Sequence, residues 1–162
     1  MSNCDIIPFR FKTVKFKERG YFVMAKLQIE FQVTKSGIPL EVSDHLSSLL
    51  SSKSDQIPPA YMCNHEKLVF ILYDKVDKKL REYLNEMGTE KTANIAYISS
   101  FGEGLDEVCE ISKKLGVNVA GTLNLGIKKS LFGSGKLTDE AVQKAVDFAR
   151  TTAQGLFTTL KF

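Results

Sequence analysis

Between residues 66 and 126 apolar-rich runs, the first of them continuous, alternate with segments of helical period, and this order predicts strand, helix, strand, helix, strand. The runs are Leu68-Val69-Phe70-Ile71-Leu72-Tyr73, Ala93-Asn94-Ile95-Ala96-Tyr97-Ile98 and Val117-Asn118-Val119-Ala120-Gly121-Thr122-Leu123. Strands with no polar alternation are covered on both faces, as crossover helices cover a parallel sheet. Ligands of such sheets gather at the carboxyl ends of the strands. The helix after the first run carries Val76, Leu80, Tyr83, Leu84 and Met87 on one side, with Gly88 placed to stop it. The next carries Leu105, Val108, Cys109, Ser112 and Leu115 and ends at Gly116. A last helix starts near Thr138, an N-cap residue followed by Asp139 and Glu140, and runs through Ala145, Val146 and Ala149 to about Gln154.

The N-terminal third reads differently. Phe9 to Phe16 and Phe22 to Val33 are the flanks of a hairpin about Glu18-Arg19-Gly20. Leu27, Ile29, Phe31 and Val33 alternate with Lys26, Gln28, Glu30 and Gln32, the period of a strand with one wet face, which leaves open whether it lies at the centre or the edge of the sheet. Thr34 to Pro39 follows, then a helix with Val42, Leu46, Leu49 and Leu50 on one side and Pro39 in its first turn. Ile57-Pro58-Pro59-Ala60-Tyr61-Met62 is extended, a candidate short edge strand.

The chain's 162 residues, 43% of them hydrophobic, suffice for one core. Residues 1–25 are expected as a basic β extension and 26–162 as the domain. Net charge is +3, but residues 1–26 hold +4 and the remaining 136 hold −1. A basic end interleaved with Phe9, Phe11, Phe16, Tyr21 and Phe22 suits a phosphate backbone and stacked bases. The low overall charge argues against a nucleic-acid partner. Apolar runs are too short to span a bilayer, and the first 25 residues lack a signal peptide's apolar centre, so a cytoplasmic protein without a membrane partner is expected.

Cys4, Cys63 and Cys109 are odd in number and widely spaced, which fits reduced thiols and not a disulfide framework. His45 and His65 have no second ligand at metal spacing, and no G-x-S-x-G surrounds a serine nucleophile. No general acid–base set stands out, so nothing commits the chain to catalysis. Asp74 and Asp77 sit where a helix start accepts negative charge. Two loops remain as candidates: Ser99-Ser100-Phe101-Gly102-Glu103-Gly104, and the long stretch Asn124 to Lys136, read as a partner-facing flap. The flap lacks the glycine and hydroxyl spacing of a nucleotide-triphosphate loop.

From Leu27 to about Gln154 the element order resembles the flavodoxin-like family. The resemblance implies an α/β three-layer sandwich around a mostly parallel five-stranded sheet. It also implies an FMN site in which Thr34, Lys35, Ser36, Gly37 and Ile38 wrap the phosphate, while Tyr73 and the Ser99, Ser100, Phe101, Gly102 loop lie beside the flavin ring. Tyr61 and Tyr97 are further stacking candidates. The function implied is that of an FMN-binding electron-transfer or accessory redox protein, with a redox partner protein or a second copy of itself. Pro39 replaces the last hydroxyl of the phosphate loop, the strand at Leu27 alternates, and Asp74-Lys75 enters its helix with little room for a ring-stacking loop, all departures from a standard flavodoxin. Pro39, the alternating strand and the basic N-terminal addition favour an alternative, a flavodoxin-like module without cofactor that binds or assembles with proteins.

Overall fold

The computed structural model describes residues 27–60, 65–129 and 135–157. The expected β extension over residues 1–25 lies outside them, as do Tyr61, Cys63 and residues 130–134 of the long loop. Within the described residues five strands form one parallel sheet: β1 (Leu27–Phe31), β2 (Ser54–Gln56), β3 (Leu68–Tyr73), β4 (Asn94–Ser99) and β5 (Asn118–Asn124). Their order is β2-β1-β3-β4-β5, that of doubly wound sheets of flavodoxin-like type. Four described helices cover it: α1 (Ile38–Leu50), α2 (Lys78–Asn85), α3 (Leu105–Lys114) and α4 (Asp139–Leu156). This is the three-layer α/β sandwich expected.

The period-2 geometry of the strands divides the interior into two cores. Leu27, Ile29, Leu68, Phe70, Leu72, Ala96 and Ile98 face α1 and α4. There Ala141, Ala145, Ala149 and Ala153 form a small-residue stripe that brings α4 close to the sheet. Val69, Ile71, Tyr73, Ile95 and Tyr97 face α2 and α3, meeting Leu80, Tyr83, Leu84 and Val108. Helix starts follow local chemistry. Asp77 caps α2 by accepting from the Leu80 amide at 2.8 Å, and Thr138 caps α4 through the Ala141 amide at 3.1 Å. Arg81 of α2 is paired with Glu107 of α3 across the helix layer.

Of the two positions left open for β1, the structure has the interior one: it lies between β2 and β3, hydrogen-bonded on both sides. Its polar positions are not wet: Glu30 and Gln32 are buried. They are buried because each finds hydrogen-bond partners, which is what a polar group needs inside a core. The short strand beside β1 falls on polar Ser54–Gln56 and not on Ile57–Ala60, the described part of the expected segment 57–62. Pro58 and Pro59 bring no amide to a ladder, and Ile57 is buried in the α2/α3 core instead.

Candidate functional site

The carboxyl edge of the sheet collects the loop after β1, the Asp74–Asp77 connection after β3 and the Ser99–Gly104 loop after β4. Gly37 supplies the turn into α1 with φ 70°, a left-handed conformation. The loop's hydroxyls point at one another and at a carboxylate. Ser36 Oγ donates to Asp74 Oδ2 at 2.7 Å, lies 3.1 Å from Thr34 Oγ1, and accepts from the Ile38 amide at 3.0 Å. The Gly37 amide donates back to the Thr34 carbonyl at 3.3 Å. Pro39 adds no amide. The start of α1 thus faces a negative group belonging to the chain itself.

Asp74 is 8% exposed, and its Oδ1 has no hydrogen-bond partner among the described residues. Its backbone amide is held by Gln32, whose Oε1 accepts from Asp74 N at 2.8 Å while its Nε2 donates to the Lys75 carbonyl at 2.9 Å. One carboxamide therefore fixes the β3–α2 connection against β1. Beside it a cleft of about 40 Å³ is lined by Gln32, Val33, Ile57, Asp77, Lys79 and Leu80, room for about one water molecule.

The remaining residues singled out from sequence fall into two groups. Lys35 is exposed and Ile38 buried under the α1 core. Tyr73 is fully buried beneath α2 and α3, with its hydroxyl donating to the Glu103 carbonyl at 3.0 Å and its ring edge-on to Tyr97. Burial raises the pKa of both phenols, that of Tyr97 to about 12. Tyr97 shares a hydrogen bond of 2.5 Å with Ser112 Oγ, so both tyrosines are core residues with their polar ends satisfied.

Ser99 and Ser100 are buried as well. Ser99 Oγ accepts from the Gly102 amide at 2.8 Å, and the Ser100 amide donates to the Tyr73 carbonyl at 3.0 Å. Phe101 packs on the α1/α4 core and lies under Lys129 Nζ, 5.1 Å from the ring centroid, while Lys129 is paired with Glu103. No hydrogen bond among the described residues joins the Thr34–Ile38 loop to the Ser99–Gly102 loop.

Sequence reasoning missed the two residues that organise this edge. Asp74 was expected to stabilise a helix start, and it instead reaches sideways to Ser36. Gln32 was assigned to solvent. The available signal was register: the residue just past an apolar parallel strand stands level with the loop of its neighbour. Against known proteins, the chain matches no family model and no curated protein sequence. No helix among the described residues is long and apolar enough to cross a membrane. They also contain no cluster of three or more His, Cys, Asp or Glu side chains able to hold a metal ion.

Proposed function

We propose that this chain is a flavodoxin-like module whose phosphate loop has turned inward and which works as a protein-binding or assembly domain, not as an electron carrier. The observation behind this reading is the Ser36–Asp74 hydrogen bond. It commits the loop's central hydroxyl and sets a carboxylate where a dianion would be held. A phosphate within about 5 Å of that carboxylate would meet a repulsion of roughly 3 kcal/mol per unit charge at an effective dielectric constant near 20. The hydroxyls and the Ile38 amide would also have to exchange their present partners.

The partner-facing surface in this reading is the same rim. The large hydrophobic side chains most exposed among the described residues are Val33 (66%) and Leu40 (45%), one on each side of the loop. Purified protein is expected to be colourless and to stay so after incubation with FMN and desalting; a yellow protein would overturn the reading. Chemical crosslinking of the wild type should give higher-mass species that Val33→Asp with Leu40→Asp diminishes.

A second reading, an FMN-binding electron-transfer or accessory redox protein, is favoured by one observation. Interior β1 brings Thr34–Ile38 to the edge where the strand order reverses, the place where such sheets bind ligands. In that case the residues here would grip the phosphate and bury the ring, while the flavin supplied the redox chemistry.

A further inference from the structure

Beside the tyrosine hydroxyls and Ser112, the α2/α3 core meets polar side chains at β1, which offers Gln28, Glu30 and Gln32 where β3 offers Val69 and Ile71. Glu30, 2% exposed, sits in an interior strand of the sheet. Its Oε1 accepts from the Tyr83 hydroxyl at 2.5 Å and its Oε2 from the Gln28 carboxamide at 2.7 Å. Register sets Asp55 of β2 on one side of it and Ile71 of β3 on the other. Tyr83 belongs to α2, a helix of eight residues anchored by Leu80, Tyr83 and Leu84. One turn nearer its start, Leu80 lines the rim cleft together with Asp77 and Lys79, opposite Gln32 and Val33.

We propose that Glu30, buried beneath Tyr83 with no cationic partner among the described residues, makes the seating of α2 on β1 proton-dependent, so that α2 stays packed beside the rim cleft while the carboxyl is protonated and opens more readily once it ionises. Its role in regulating the rim rests on the rim being the working surface; the proton dependence itself does not. Burial raises the Glu30 pKa to about 7, outweighing its two hydrogen bonds, and Asp55 pushes the same way. Tyr83 is held well above its ordinary range by burial and by Glu30, with Asp55 and Glu86 adding to it. The phenol therefore stays neutral while Glu30 titrates. Opening α2 returns the carboxyl to water and to an ordinary pKa. The opening equilibrium then rises on the order of a hundredfold from pH 5 to pH 8. A two-turn helix is a natural unit for such local opening.

Hydrogen exchange of the full chain at pH 5 and pH 8, corrected for intrinsic rates and repeated at low urea concentrations, tests the proposal. Amides 82–86 should lose protection on the order of a hundredfold at pH 8. They should exchange by an opening insensitive to dilute urea, while the α4 amides stay better protected and urea-sensitive. Glu30→Gln should abolish the pH dependence in α2. Tyr83→Phe, which removes a hydrogen bond favouring the ionised form, should move it to higher pH. The proposal is overturned if α2 protection is independent of pH, or if α2 and α4 share one protection and one urea dependence. It is equally overturned if either variant keeps the wild-type pH profile. Leu40→Asp, which alters the rim surface outside the cleft, should leave this exchange pattern intact, so the two readings fail separately.

Discussion

A carboxyl in the centre of a sheet makes stability depend on pH in a direction opposite to the usual one for acids. Glu30 binds its proton more tightly folded than unfolded, with a folded pKa of about 7 against an ordinary 4.5. Its contribution is therefore complete below about pH 4.5 and is lost as pH rises through 7. The loss from pH 5 to pH 8 is about 2–3 kcal/mol. Urea denaturation should show Glu30→Gln less destabilised over that range than the wild type by this amount, while an unchanged pH profile would remove Glu30 as its source. Gly102 offers a second test at the same scale. It holds φ 83°, and a β-carbon there would collide with the Asn124 carboxamide, whose oxygen accepts from the Gly126 amide. Gly102→Ala should cost about 1–3 kcal/mol in thermal unfolding.

Among the elements, β3 and β4 were legible because a strand covered on both faces writes its burial as a run of apolar residues, and β3 matches the expected Leu68–Tyr73 span; β5 was placed as a strand, but it lies at the sheet's edge and none of its residues is fully buried. α1 and α4 were legible through Pro39 and Thr138. β1 was legible as a strand but not in its position. Alternation reports that one set of side chains is polar, not that it is wet, and Glu30 and Gln32 resolve the difference by pairing with Tyr83 and with the β3–α2 backbone. β2 was not legible, since three polar residues pairing along one side carry no hydrophobic signature. The Ser36–Asp74 contact was equally hidden: it joins residues 38 positions apart, and only the strand order makes them neighbours. Replacing Gln32 by Ala should orphan the Asp74 amide and cost about 1–3 kcal/mol. Hydrogen exchange should accelerate first at Asp74 and Lys75; no change there would mean the clamp is incidental.

For the whole molecule, the sheet order fixes the architecture, and the chemistry of its carboxyl edge bears on what the architecture is for. A sheet of this order can serve a cofactor, a substrate or a partner. Here the loop best placed for a phosphate is closed by its own hydroxyls and by Asp74, and the hydrophobic side chains flanking it face solvent. If Asp74 is what excludes an anion, Asp74→Asn should gain affinity for FMN while the Ser36 contact persists. The decisive measurement follows the backbone amides of Ser36, Gly37 and Ile38 by NMR during titration with FMN. A loop closed by Asp74 shows no saturable shift in the wild type up to about 100 μM FMN, equivalent to binding weaker than about −5.5 kcal/mol. Saturating shifts at those three amides near micromolar FMN would contradict that closure and restore the electron carrier.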